Sequence, residues 1–189
     1  MKIGVAICFL ILSLLALNVP ASAAEVARSY EQLSPDGKYV FVMLAKGAGE
    51  PSIVDTLKDR YEHSGLYKVG DPKKALWRVN WYSSRVHVSS DGMHLVRIGR
   101  LNVSSINGKP NMAQLAIAFY SNGNLTKKYL IEDLLDNPGM LIKVGIGFQW
   151  QKRIAFDDAS ERLEVTLITG QKKIFDTRSG NIIVTKVRA

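Results

Sequence analysis

Cysteine is almost absent from this sequence of 189 residues: the single Cys8 lies in the apolar stretch at its start. Without further thiols the chain cannot form a disulfide framework, use a thiolate nucleophile or hold zinc through cysteine ligands. If the leading stretch is removed, about 165 residues remain, which is enough to bury a hydrophobic core without a metal or a disulfide. A hydrophobic content of 47% with 22% charged residues is typical of a globular protein and excludes a disordered chain.

Sequence motifs for catalysis are also missing. There is no Gly-x-Ser-x-Gly nucleophile elbow, and Gly47-Ala48-Gly49 and Gly145-Ile146-Gly147 lack the lysine and helix that follow a phosphate-binding loop. The acidic doublets Glu132-Asp133 and Asp157-Asp158 are interpreted as turn and cap residues, because adjacent residues of a strand point to opposite faces. Asp-x-Asp-x-Asp-Gly calcium spacing is absent. We therefore predict no catalytic residue, no cofactor site and no metal site, in a protein that is not an enzyme.

Histidine is scarce as well, and two of its three copies flank one turn. His87 and His94 lie on either side of Asp91-Gly92. If the loop has two residues, Ser89 opposes His94 and both histidines share a face; if it has three, Val88 opposes His94 and they point to opposite faces. A related turn has proline at its second position, which favours the three-residue loop. We therefore expect the histidines on opposite faces, without a shared metal ion.

The first two dozen residues have the three zones of a secretory signal peptide. Lys2 is followed by the uncharged, almost wholly apolar residues 3–17 and by Ala21-Ser22-Ala23-Ala24. Cleavage after Ala23 or after Ala24 satisfies the small-residue rule equally well. The apolar run is shorter than the roughly 20 residues of a membrane-spanning helix, and no second run of that kind follows. We expect a cleaved signal peptide at residues 1–23 and a single β-rich domain at 24–189, periplasmic or secreted and not membrane-spanning after cleavage.

The charge is positive and dispersed. The full chain has a formal net charge of +8; without Lys2, 24 basic and 17 acidic residues leave +7. Nucleic acid is a common partner of basic chains, but export argues against it and no nucleic-acid-binding motif is present. Attraction to an anionic glycan or lipid surface fits an exported protein better. The alternative is an evenly solvated basic surface.

Beyond the leading stretch, short β-favouring segments alternate with turns. Residues 39–45 and 115–120 are apolar runs typical of strands covered on both faces, and residues 163–167 alternate. Ten to twelve short strands predict an all-β, meander-like fold with one or two short helices, at residues 51–62 and 131–136. The turn sequences between the strands are Asp36-Gly37, Gly70-Asp71-Pro72, Asp91-Gly92, Asn107-Gly108, Asn122-Gly123 and Ser179-Gly180-Asn181.

The candidate binding residues come from one alternating segment, residues 77–82. Trp77, Val79 and Trp81 would share one strand face, and we interpret that face as core; a sugar-stacking platform is the alternative. The opposite face would carry three polar or amphipathic side chains, which suit a polar ligand. These candidate binding residues are Arg78, Asn80 and Tyr82.

A turn sequence recurs along the chain. Ser34-Pro35-Asp36-Gly37 reappears 55 residues later as Ser89-Ser90-Asp91-Gly92, a looser copy lies at residues 156–163, and residues 174–182 follow a strand–turn–strand pattern. These residues resemble the β-propeller repeats of WD40-like exported proteins. Residues 64–82 and 90–97 are similar to a group of small exported bacterial proteins that are uncharacterised, which implies a shared fold and export and brings no functional residues. A blade takes about 40 residues, so the chain holds four at most. The resemblance thus implies a partial propeller or a twisted meander.

The expected function is that of an exported, non-catalytic β-domain that binds a protein or envelope component through a sheet face or loops. The alternatives are a carbohydrate- or acidic-glycan-binding protein and a small periplasmic enzyme with scattered residues. An exposed hydrophobic patch would favour a protein partner. A groove lined by Arg78 and Tyr82 would favour a glycan. A pocket that gathers histidine and carboxylate groups with shifted pKa values would favour an enzyme.

Overall fold

The computed structural model describes residues 27–46 and 55–183. The predicted signal peptide and residues 51–54 of the first predicted helix lie outside the described residues. Within them the chain is mostly β, as the sequence predicts. Sixteen strands are present there, and ten of them have four residues or more. The strands are β1 (Tyr30–Leu33), β2 (Tyr39–Met43), β3 (Gly65–Lys68), β4 (Ala75–Arg78), β5 (Val86–Val88), β6 (His94–Ile98), β7 (Asn102–Val103), β8 (Ser105–Ile106), β9 (Lys109–Pro110), β10 (Leu115–Ser121), β11 (Asn124–Leu130), β12 (Ile142–Val144), β13 (Gly147–Gln149), β14 (Gln151–Asp157), β15 (Arg162–Leu167) and β16 (Lys172–Asp176).

The strands form three main antiparallel sheets. The first sheet has the order β1-β2-β3-β4, the second β5-β6-β10-β11 and the third β14-β15-β16. A small sheet, β7-β13-β12, and the hairpin β8-β9 arise from the connections around the second sheet. Almost every neighbour in a main sheet is also the next strand of that sheet along the chain, which is the pattern of a meander. Across the described residues the sheets do not close into a barrel or a propeller.

The second sheet lies between the other two, and its two faces belong to different cores. Ala118 and Tyr120 of β10 pack with Phe41 and Leu66 of the first sheet. Ile117 and Phe119 alternate with them and belong to the core that contains the third sheet. A strand that is covered on both faces needs a continuous apolar sequence. The run at residues 115–120 was predicted to be such a strand, and this is confirmed.

The third sheet is covered mainly on one face, as the alternating burial along its central strand β15 shows. In β15 the side chains of Leu163, Val165 and Leu167 are fully buried, whereas Glu164 and Thr166 between them are partly exposed. This is the period-2 alternation that residues 163–167 predict. The predicted strand at 39–45 is also confirmed, as β2.

The helices are short and peripheral. Helix α1 (Thr56–Arg60) places Leu57 and the following Tyr61 against Val42 and Tyr67 of the first sheet, so it covers the outer face of that sheet. Helix α2 (Ile131–Leu134) ends before Pro138, where a proline is expected to stop it, and Pro138–Met140 form a separate 3₁₀ turn. In the described part of the chain, no helix has the length and hydropathy needed to cross a bilayer.

The predicted register of the β5–β6 hairpin is wrong. Val88 pairs with Leu95, and the Ser89 N–H donates to the His94 carbonyl at 3.0 Å, so His87 and His94 share a face. The loop has four residues because the Asp91 carboxylate accepts from the N–H groups that follow it, at Met93 (2.8 Å) and His94 (3.1 Å). The related turn with proline has the same width, since Leu33 pairs with Val40, so the three-residue loop inferred from the proline is wrong for both turns.

Candidate functional site

A cleft opens where the first and second sheets part. Its volume is about 770 Å³, and it is open to solvent on one side. Arg78 and Asn80, two of the three predicted binding residues, line it. The other lining residues are Leu44, Ala45, Lys46, Glu62, His63, Ser64, Val79, Trp81, Tyr120, Gly123, Asn124 and Leu125.

The rim of this cleft is polar and carries positive charge. The Lys46 ammonium donates to the Asn80 carbonyl at 3.2 Å, and the exposed Arg78 is the last residue of β4. Glu62 is the one acidic residue of the described lining, and its carboxylate lies 3.2 Å from Nε2 of His63. Two cations therefore face the opening against one carboxylate. A polar or anionic ligand suits such a rim.

The floor of the cleft is aromatic, but most of it is occupied by packing. The Trp81 ring lies 5.0 Å from Tyr120 and 6.1 Å from Phe41, between ring centroids, and the Arg97 guanidinium lies 4.5 Å from its centre. Trp77 is buried, and its indole N–H donates to the Gly92 carbonyl at 3.0 Å. The prediction that Trp77 faces the core is confirmed. The two tryptophans therefore do not form an open platform for stacking a sugar.

A glycine turn closes the other side of the cleft. Gly123, in the turn between β10 and β11, has φ +79°, and a Cβ at this position would lie 2.8 Å from the Arg78 carbonyl oxygen. The backbone of the second sheet can approach the end of β4 this closely only because the residue lacks a side chain. The Asn122-Gly123 turn, predicted from sequence, thus also shapes the site.

Tyr82 does not face the same cleft as Arg78 and Asn80. The strand β4 ends at Arg78, so the alternation predicted for residues 77–82 does not continue. The Arg28 N–H donates to the Tyr82 hydroxyl, and this hydroxyl donates to the Arg28 carbonyl, each at 3.0 Å. These two hydrogen bonds hold Tyr82 away from the cleft. There it lines a second cavity, of about 430 Å³, with Arg97 and Arg100.

The histidines that share a face of the second sheet each have an acidic partner. His87 Nε2 lies 2.7 Å from Asp158 Oδ1, and its ring stacks on Phe156 at 3.8 Å. Burial lowers the pKa of His87, and the negative charge of Asp158 opposes part of that shift. His94 Nδ1 lies 2.7 Å from Asp91 Oδ2.

The second of these histidine–carboxylate pairs includes a carboxyl with a shifted pKa. Burial alone would raise the pKa of Asp91, but hydrogen bonds from the Ser89 hydroxyl, the Met93 N–H and His94 together hold it well below its ordinary value.

Neither cavity described above is lined by Asp91, His87 or Asp158. Among residues 27–46 and 55–183, no group of three or more histidine, aspartate or glutamate side chains is arranged to hold a metal ion. The other acidic doublet residues act in turns as predicted: Asp157 accepts from Ser160, and Asp133 caps the Leu130 N–H.

An exposed apolar edge is the feature that sequence analysis missed. Strand β12 pairs only with β13 in the described sheet, and its Ile142 and Val144 are about half exposed. Ile146, in the turn after it, is 81% exposed, and Met140 before it is 49% exposed. In sequence these residues resemble any short core strand. The one hint was the glycine pair Gly145 and Gly147, which places a hairpin turn within the apolar run.

Comparisons with known proteins leave the chain without a family assignment. The sequence matches no model of a known protein family, and no curated protein is significantly similar to it. The cleft, the second cavity and the apolar edge are therefore the features that bear on function.

Proposed function

We propose that this chain is an exported, non-catalytic binding module, periplasmic or secreted, that binds an extended segment of a partner protein in the cell envelope. The observation that carries the proposal is the unpaired, apolar edge strand β12. We refer to Met140, Ile142, Val144 and Ile146 together as the apolar edge.

The apolar edge has the two properties of a site for strand addition. It presents large aliphatic side chains to solvent, and contiguous exposed apolar surface marks interaction sites in monomeric proteins. The backbone groups on its outer side are unpaired in the described sheet. Edge strands that do not bind another strand are usually protected from pairing by charged residues, proline or a bulge. Within β12 only Lys143 provides such protection. An added strand would gain main-chain hydrogen bonds from β12 and side-chain contacts with Ile142 and Val144, which lie on one face.

Lys143 and the net positive charge also define the chemistry of the partner. A segment with alternating aliphatic residues and acidic residues between them would complement both the apolar face and the lysine. Electrostatic attraction to a protein of net charge +7 would speed association, whereas the aliphatic contacts would persist at high salt.

The test is site-specific crosslinking from the apolar edge in the native envelope. A photo-crosslinking residue at position 144 should capture one partner, with the crosslinked peptide mapped to an extended segment of it. In a tagged pull-down, the same partner should survive high salt and be lost from the I142S/V144S double variant. The matched control is Val69→Ser, which removes an exposed aliphatic side chain between β3 and β4. Equal recovery from V69S and I142S/V144S, or self-crosslinking alone, would contradict the proposal.

A second candidate function, binding of an acidic glycan, is favoured by the cationic rim of the cleft. Lys46 and Arg78 face the same opening, and Asn80 offers an amide beside them. The packed aromatic floor offers little stacking surface, so charge would supply most of the affinity. Binding to an acidic glycan chain should fall steeply with salt and fall again in R78Q. A binding curve that is unchanged in R78Q would exclude the cleft as the glycan site.

A further inference from the structure

The second cavity contains an arginine that has no carboxylate partner among the described residues. It lies at the end of β6 and the start of β10, beside the linker between β4 and β5, and its volume is about 430 Å³. Its polar lining residues include Tyr82, Ser84, Arg97, Arg100 and Gln114, and none of its described lining residues is acidic. The cavity therefore combines two guanidinium groups with no opposing charge.

Arg97 is the central residue of this cavity. It points from β6 towards the first sheet, where its Nη2 donates to the Tyr82 carbonyl at 2.9 Å and its guanidinium lies 4.5 Å from the centre of the Trp81 ring. Its Nε is buried and has no hydrogen-bond partner among the described residues. No described carboxylate lies within 4.0 Å of it, although other cations of the chain form such pairs. A half-buried cation that keeps unused donors is costly unless an anion compensates it.

Arg100 supplies a second cation at the mouth of the same cavity. Its backbone carbonyl accepts from the Trp150 indole at 3.0 Å, which anchors the chain just after β6. Its side chain is exposed and makes no ion pair with a described carboxylate. The Gln114 amide, by contrast, bridges the Ser104 N–H and the Asn102 carbonyl. The charged donors of the cavity therefore belong to the two arginines.

We propose that this cavity is a binding site for an oxyanion, a phosphate or sulfate group carried by a soluble molecule or by a lipid headgroup. Planar guanidinium groups present paired N–H donors that match the oxygen atoms of such groups. Arg97 would hold the anion from below through the Nη donors that the Tyr82 carbonyl leaves free, and Arg100 would close over it. The site is separate from the apolar edge, so it stands or falls independently of the proposed protein partner.

The first arm of the test uses inorganic phosphate and sulfate. The mature chain is titrated at constant ionic strength set with chloride, and backbone amide NMR shifts are followed at Gly99 and Leu115. We expect saturable shifts there, with affinity about tenfold weaker in R100Q, because each charge-assisted hydrogen bond contributes about that much. Ser84→Glu should abolish binding by placing a carboxylate in the cavity. Arg162→Gln, an exposed residue of the third sheet that lines neither cavity, is the charge-matched control and should bind normally.

The second arm uses vesicles of phosphatidylglycerol in a flotation assay with the same variants. Binding of free phosphate identifies a soluble ligand, whereas loss of vesicle binding in R100Q and S84E, without binding of free phosphate, identifies a lipid headgroup. Either result supports the oxyanion site. Absence of both, or equal effects of R100Q and R162Q, would overturn it. Arg100 is the better position to vary because Arg97 also packs on Trp81, so R97Q would combine a ligand effect with a folding effect.

Discussion

Ser34 and Ser89 hold the same position in two hairpins of different sheets. The Ser34 hydroxyl accepts from the N–H of Tyr39 at 3.0 Å, and the Ser89 hydroxyl accepts from the N–H of His94 at 3.2 Å. In each hairpin the serine N–H also donates to the carbonyl of that same residue, at 2.9 and 3.0 Å. The recurring turn sequence therefore sets the register of β1–β2 and of β5–β6 in the same way.

Removing either hydroxyl should destabilise the protein. In S34A the Tyr39 N–H loses its side-chain acceptor, whereas in S89A the His94 N–H keeps only Asp91. In each variant the neighbouring Asp36 or Asp91 also loses a donor. We expect the free energy of unfolding to fall by about 1–2 kcal/mol in each variant. Urea denaturation measures it, with Ser84→Ala as the control, because this exposed serine lies outside both turns. An S89A variant as stable as S84A would show that the turn hydrogen bonds contribute little.

The protein should lose stability in acid partly through Asp91. Its pKa is lowered in the folded state, so its carboxylate stabilises the fold above the unfolded pKa of about 4, and this contribution is lost progressively as the pH falls towards the folded value. The D91N variant should therefore be less stable than the wild type at pH 7, and the difference should shrink steadily as the pH falls from about 4 towards 2. Thermal unfolding measured across this pH range tests it. The exposed Asp71→Asn provides the control, and parallel stability curves for D91N and the wild type would contradict the prediction.

Asp158 should raise the pKa of the histidine it contacts. Burial lowers the pKa of His87, and the Asp158 carboxylate at 2.7 Å opposes that shift. Because the folded protein disfavours the protonated ring, stability should decrease as the pH falls below about 6.5. In D158N the opposing charge is gone, so the pKa of His87 should fall further. NMR titration of the ring protons measures this pKa, and the exposed Glu132→Gln should leave it unchanged. A rise of the pKa in D158N would refute the assignment.

Gly123 should be far less tolerant of substitution than Gly70. Both have positive φ values, +79° and +86°, so an alanine at either position carries a conformational cost of about 1 kcal/mol. At Gly70 an added Cβ meets no atom within 4 Å, whereas at Gly123 it would lie 2.8 Å from the Arg78 carbonyl. The difference in unfolding free energy between G123A and G70A isolates this steric contact. Equal destabilisation by the two variants would show that β4 and the turn can separate freely, and the cleft would then lack a rigid wall.

Local sequence patterns predicted most of the strands and turns. The alternation at residues 163–167 and the apolar run at 115–120 follow from which faces are buried, and this is a local property of a strand. The turns are also a local property: Gly37, Gly92 and Gly180 adopt positive φ values at positions where the sequence predicts a tight turn.

The candidate site was predicted only in part. Arg78 and Asn80 share a cleft, but the side chains opposite them, Lys46 and Tyr120, come from distant segments whose approach no spacing rule predicts. Tyr82 was assigned to the same face because an ideal strand alternates indefinitely. The real strand ends at Arg78, and the Tyr82 hydroxyl four residues later bonds to the backbone of Arg28 instead.

Short-range preferences thus determine where this chain extends and where it turns, because backbone conformation and side-chain alternation involve neighbouring residues. The order of the three sheets, the doubly buried second sheet and the shared face of His87 and His94 depend on long-range packing and on side-chain hydrogen bonds within a loop. The absence of a described carboxylate beside Arg97 also depends on long-range packing. Whether a cation has a counter-ion depends on which distant residues the fold places beside it, and those distances are a property of the packed sheets alone.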